Sequence, residues 1–139
     1  MLAACLATQP VAASQVGWQT AGCAATVQVT HLAFHPRSVE PGQTSTARLQ
    51  AVNCSGTTQD VRVSWIAHWV AAGGGTGGCP IIDPLSQAVQ MPPHSVYRSS
   101  LSYLVPPQCG ATTLELTVSL SKQAQVIAQR TAALDIDQR

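Results

Sequence analysis

Charge is what this chain has least of. Only 9% of its residues are charged, against about 25% in an ordinary soluble domain, and Lys122 is the sole lysine. The net charge is +1, and neither the seven basic nor the six acidic residues form a run. A nucleic-acid partner calls for a basic stripe, so none is expected. Copies of a weakly charged chain also repel one another weakly. Aromatic residues are scarce, at 4%. No segment keeps a helical apolar period, no internal repeat is visible, and no apolar run is long enough to span a membrane. The glycine-rich stretch at 73–78 is not followed by Gly-Lys-Ser/Thr, which excludes a phosphate loop. No serine lies in Gly-x-Ser-x-Gly, so a nucleophile elbow is missing. The carboxylates Glu40, Asp60, Asp83, Glu115, Asp135 and Asp137 fall in turns, at strand starts, on an outward face or near the C-terminal end, and read as solvated. No catalysis and no cofactor are expected.

What the chain does have is alternation. From Thr44 to Val70 two runs of period 2 flank the polar turn Cys54-Ser55-Gly56-Thr57-Thr58, a β-hairpin signal. Ala47, Leu49 and Ala51 form the inward set of the first run, and Val61, Val63, Trp65, Ala67 and Trp69 that of the second. Thr46, Arg48, Gln50, Arg62, Ser64 and His68 lie between them and face water. An earlier strand, Ala25 to His35, changes phase between Val27/Val29 and Leu32/Phe34, which implies a bulge or a switch of sheet. Leu85 to Met91 is a short strand. Val96 to Val105 follows, with Tyr97, Leu101, Tyr103 and Val105 on one face. Thr112 to Ser121 places Leu114, Leu116, Val118 and Leu120 inward. Val126 to Ile136 places Val126, Ala128, Ala132, Leu134 and Ile136 inward. Proline and glycine turns separate these runs.

The domain proper is expected to cover residues 17–139. Residues 1–16 read as a signal-like segment or an N-terminal extension: a short apolar stretch precedes the small-residue site Val11-Ala12-Ala13. Leu2-Ala3-Ala4-Cys5 is also similar to a lipoprotein acylation site. The five cysteines include no Cys-x-x-Cys pair. Cys23, Cys54, Cys79 and Cys109 are spread over strand ends, which suits disulfides in an oxidising compartment better than a zinc site. A secreted or cell-surface location follows.

Short strands at roughly ten-residue spacing between turn signals indicate an all-β, seven-stranded immunoglobulin-like β-sandwich with two disulfides. Ser38-Val39-Glu40-Pro41-Gly42-Gln43-Thr44 and Val52-Asn53-Cys54-Ser55-Gly56 resemble the strand entry and following turn of bacterial immunoglobulin-like and fibronectin type III-like domains related to cell adhesion. The resemblance runs from Thr26 to Ile136. Trp65 sits where that fold keeps a core tryptophan, while the antibody-type inter-sheet disulfide and tyrosine corner are missing. The resemblance implies a recognition or spacing role in a surface protein. With strands running alternately up and down, Cys23 and Cys54 share one end and Cys79 and Cys109 the other. This predicts Cys23–Cys54 and Cys79–Cys109 disulfides with Cys5 left over.

The functional expectation is a non-catalytic extracellular module with a structural or partner-binding role, its partner another protein or copies of itself. Two alternatives belong to other classes. The first is a small copper-binding sandwich using His68, Met91 and His94, in which thioether and imidazole suit copper. His31 and His35 share a strand face but lie about 13 Å apart, too far to chelate one ion unless a bulge shortens the span. The second is a polysaccharide-binding accessory domain using Trp18, Trp65 and Trp69, although a strand as central as that of Trp65 and Trp69 favours a core role for both. Asn53-Cys54-Ser55 matches a glycosylation sequon but reads as a turn.

Overall fold

The computed structural model describes Cys23 and residues 25–139 and turns each alternating stretch into a strand. Eight strands result: β1 (Val27–His35), β2 (Ser38–Val39), β3 (Thr44–Asn53), β4 (Gln59–Val70), β5 (Leu85–Met91), β6 (Val96–Leu104), β7 (Thr113–Lys122) and β8 (Gln125–Ile136). They form a three-stranded sheet of order β1-β3-β6 and a five-stranded sheet of order β2-β8-β7-β4-β5. The fold is an immunoglobulin-like β-sandwich, with the two-residue β2 added to the seven strands expected. Residues 1–16, with Cys5, and also Trp18, lie outside the described residues.

The phase change in the first strand has both of its physical causes. The β1–β3 register shifts between Val29 and His31, a bulge that moves Leu32 and Phe34 onto the buried face. Beyond Pro36, whose peptide bond is cis, the chain crosses to the second sheet. There Ser38 and Val39 run parallel to Asp135 and Ile136 of β8.

The expected hairpin between the third and fourth strands is corrected. β3 pairs with β1 and β6, whereas β4 pairs with β5 and β7, so Cys54–Thr58 arches from one sheet to the other. Alternation tells which face of a strand is buried and not which strand lies beside it. Here the two buried faces lie on opposite sheets of one core. Ala47, Leu49, Ala51, Val61, Val63, Trp65, Ala67 and Trp69 are all buried in it, together with Leu114, Leu116, Val118, Leu120 and Leu134. Tyr103 and Phe34 meet edge to face at 5.9 Å within this core, a geometry favoured by the ring quadrupoles.

A second correction concerns the last strand. Val126, expected inward, is 53% exposed. The β7–β8 register shifts between Leu120 and Ser121, so that Leu120 faces Ala128 but Ser121 faces Val126. The extra residue at Ile127 flips the phase, and Ile127 packs against the core instead.

The ends are tied covalently: Cys23 is joined to Cys54 and Cys79 to Cys109. Beside the second disulfide, Gly110 donates its amide to Gly77 O at 2.9 Å. Gly77 has φ +68, and a Cβ there would stand 2.6 Å from the backbone of Gly110 and Ala111. Only glycine meets both demands.

Candidate functional site

The residues named for copper are not brought together. His68 stands on the outer face of the five-stranded sheet, its Nε2 3.0 Å from Glu115 Oε1 of the neighbouring strand. Met91 is 1% exposed, its thioether inside the core, opposite Gln59 at the far end of β4. His68 lies nine residues further along that strand, roughly 30 Å away. His94 occupies the β5–β6 turn, with φ 55 and its amide donating to Ser55 O. Among the described residues no three histidine, cysteine or acidic side chains gather in one place. Trp65 and Trp69 are 2% and 4% exposed, and Trp69 Nε1 donates to Pro80 O at 2.8 Å. Neither ring offers a sugar a platform. Asn53 is fully buried: its Nδ2 donates to the carbonyls of Thr57, Met91 and Pro92, and its Oδ1 accepts from Ser55 N and Oγ. The sequon asparagine is therefore a fastener of the β3–β4 arch.

Two surfaces do have a composition of their own. The first is the outer face of the three-stranded sheet. Register sets His31, Gln50 and Arg98 in one row, Ala33, Arg48 and Ser100 in the next, and His35, Thr46 and Ser102 in the third. The bulge precedes His31 and leaves the backbone between the two histidines extended. Their side chains nevertheless lean together along the strand until the rings stack at 6.0 Å. Polar side chains complete the surface: Thr46 Oγ1 and Ser102 Oγ lie 3.0 Å apart, and Gln50 Nε2 donates to Thr30 Oγ1. Arg48 and Arg98 make no side-chain hydrogen bond or ion pair among the described residues, and with His31, Gln50 and Ser100 they line an open groove of about 400 Å³. None of the six carboxylates of the chain is on these strands. Partial burial, then the charges of Arg48, His31 and Arg37, hold the His35 imidazole below its usual pKa. Sequence reading placed Arg48 outward but did not single out Arg98. The signal was the shared outward phase, which becomes a cluster only once β1, β3 and β6 are known to be neighbours.

The second surface is the β5 edge. β5 ends the five-stranded sheet, and Leu85–Gln90 make backbone hydrogen bonds only toward β4 among the described residues. The strand carries no charge and no internal proline. Edge strands are ordinarily guarded by such features or by bulges. The edges of the other sheet have them: β1 is bulged and its Val29 carbonyl is taken by Arg130 Nη1, while β6 carries Arg98. The opposite edge of the five-stranded sheet, β2, is only two residues long.

These features define an immunoglobulin-like domain in a two-sheet arrangement found in proteins of many functions. No family model matches the sequence, and no curated protein is similar to it. Solved structures do match in fold. One is the alkylpurine DNA glycosylase AlkC of Pseudomonas fluorescens, bound to DNA containing an abasic site analog. It has a TM-score of 0.61 and 12% identity over 88% of this chain and 33% of that one. Another is a Paenibacillus sp. cycloisomaltooligosaccharide glucanotransferase complexed with cycloisomaltoheptaose, with TM-score 0.56 and 13% identity over 81% of this chain and 15% of that one. A third is Spo0M, a sporulation control protein from Bacillus subtilis, with TM-score 0.57 and 10% identity over 83% of this chain and 51% of that one. This chain thus spans a third or less of the first two. Identities this low establish the fold alone. The two disulfides are compatible with an oxidising, extracellular setting, and no helix among the described residues is long and apolar enough to cross a membrane.

Proposed function

We propose that this domain is a non-catalytic extracellular binding module that joins a second copy of itself by strand addition at β5. The observation that carries the reading is the uncharged edge Leu85–Gln90, whose outward row of amides and carbonyls has no partner among the described residues, with Ser86, Ala88 and Gln90 exposed beside it. An extended segment laid along that row completes its ladder, with backbone hydrogen bonds giving affinity. The low charge of the chain leaves little repulsion to oppose the approach of a like copy. Leu2–Val16 is an apolar segment whose sequence suits the added strand.

Light scattering over a concentration series tests this on the full chain, on the chain without residues 1–16 and on Ala88→Lys. Ala88 is exposed, and its cross-strand neighbour is the equally exposed Arg62, so lysine there charges the edge from the solvent side, its repulsion from Arg62 screened by water. Association of the full chain that is lost in Ala88→Lys at unchanged melting temperature is the expected result. Loss on truncation as well identifies the N-terminal segment as the added strand. A full chain that stays monomeric at high concentration, or an Ala88→Lys variant that associates as well as the parent, overturns the self-assembly reading.

A further inference from the structure

The outer face of the three-stranded sheet plays no part in the edge contact, and its composition calls for a separate account. We infer that this face binds an acidic polysaccharide, with Arg48 and Arg98 holding its carboxylate or sulfate groups and His31 and His35 adding charge when protonated. Arg98 is in the row of Gln50 and Arg48 in the row of Ser100, so the two are diagonal neighbours on adjacent strands. That placement separates their Cβ atoms by roughly 7–8 Å, a spacing that meets two successive anionic groups on one chain rather than a single small ion. A guanidinium presents a planar fork of donors that fits a carboxylate or sulfate in bidentate fashion. In a chain with as many carboxylates as this one has, both forks are nonetheless left without an acidic partner on their sheet.

The rest of the face extends the match. The hydroxyls of Thr30, Thr46, Ser100 and Ser102 and the amide of Gln50 flank the cations, and such groups exchange hydrogen bonds with sugar hydroxyls in either direction. The groove is open and shallow, lined by side chains held on strands. That suits an extended polymer lying on a sheet and does not enclose a small molecule. A nucleic acid shares the anionic backbone, but its single-stranded forms are gripped by aromatic side chains on which bases stack. Among the described residues no tyrosine, tryptophan or phenylalanine is on this outer face: Tyr97 and Tyr103 of β6 turn inward, and the only rings there, His31 and His35, are stacked on each other. The observations therefore favour a glycan.

Protonation tunes the face. His31 and His35 on β1 meet Arg48 from β3 and Arg37 from the following connection, with Arg98 one strand further on β6. From the other sheet Arg130 reaches the Val29 carbonyl of β1. The charged groups among these neighbours are all cationic, so a proton on His35 is disfavoured in the free protein and favoured once an anion lies across its ring. Binding must then take up protons and strengthen as the pH falls below the usual imidazole range.

The test uses the full chain in affinity measurements against heparin, polygalacturonate, neutral dextran, a single-stranded DNA oligonucleotide and inorganic phosphate. Each is run at pH 5.5 and pH 7.5 and at two salt concentrations. The expected result is salt-sensitive binding of heparin or polygalacturonate, stronger at the lower pH, with dextran unbound. Arg48→Ser with Arg98→Ser should weaken it at least tenfold. The charge-matched control, Arg62→Ser with Arg139→Ser, should change it less than twofold. His31→Ala with His35→Ala should remove the pH difference while leaving binding at pH 7.5 in place. Unchanged melting temperatures establish that the variants are folded, as expected for outward side chains. The inference is overturned if the oligonucleotide binds as tightly as the acidic glycans, if only inorganic phosphate binds, if dextran binds equally, or if the control pair loses as much as Arg48 and Arg98. Because Arg48 and Arg98 lie on the three-stranded sheet and the β5 edge belongs to the other sheet, a failed self-assembly test leaves this result standing, and the reverse.

Discussion

Replacing Asn53 by aspartate changes one atom type at almost no cost in volume, and it should be among the most damaging substitutions in the molecule. Asn53 is 0% exposed. Its Nδ2 donates to Thr57 O at 2.8 Å, Met91 O at 2.9 Å and Pro92 O at 3.0 Å, and its Oδ1 accepts from Ser55 N at 2.9 Å. These partners fix which side-chain atom is the amide nitrogen, since three carbonyls cannot face an oxygen. Alanine removes the bonds and takes their partner from the buried Met91 carbonyl and the half-buried Ser55 amide, while Thr57 O keeps Ser55 Oγ and Pro92 O keeps Ser95 N and Oγ. At roughly 1–3 kcal/mol for a stranded buried group, the total is about 3–4 kcal/mol. Aspartate keeps the contacts with Ser55 but turns a second oxygen on the three carbonyls and buries a charge. Its cost at neutral pH should exceed that of alanine by about 2 kcal/mol. The pH dependence then has a definite sign. Burial and carbonyl repulsion raise the carboxyl pKa in the fold above its unfolded value. Stability is therefore greatest in acid, where the protonated acid donates one hydrogen bond, and is lost as the pH rises through the folded value. Urea unfolding followed by tryptophan fluorescence reads this directly, as a shift of midpoint at constant slope, because Trp65 and Trp69 leave the core on unfolding. An Asn53→Asp variant as stable at pH 7 as Asn53→Ala, or one indifferent to pH, refutes the reasoning.

Two further outcomes follow from the same core. Trp65→Ala should lower stability by about 3–5 kcal/mol through lost burial and a residual cavity, since the ring is 2% exposed; an unchanged thermal midpoint would place the ring outside the core. Burial pushes the Tyr103 phenol up to about 12. A pKa raised in the fold gives stability that is complete below the unfolded value near 10 and is lost between there and 12. Alkaline weakening of the fold above about pH 10 should thus be smaller in Tyr103→Phe, and spectrophotometric titration of Tyr103 near 10 in the folded protein would contradict it.

The fold was legible here because the chemistry that selects strands is local. Val61, Val63, Trp65, Ala67 and Trp69 alternate with polar residues, and each of the five is buried. Partner choice is not local. The same alternation that marks β3 and β4 as neighbours in sequence is satisfied when their buried faces meet across the core instead of side by side. The decision rests with the Cys54–Thr58 arch and the Asn53 hydrogen bonds that hold it. One extra residue was likewise enough to defeat the reading of Val126, because a bulge shifts phase without altering composition. The cationic face was beyond reach for the same reason. His31, Arg48 and Arg98 come from three separate strands, and each alone is an ordinary outward residue. Only the order β1-β3-β6 sets them in adjoining rows, and only then does the lack of a carboxylate on that sheet become a property of a surface. In a chain with so little charge overall, where each charge falls among the strands decides what its surface can hold.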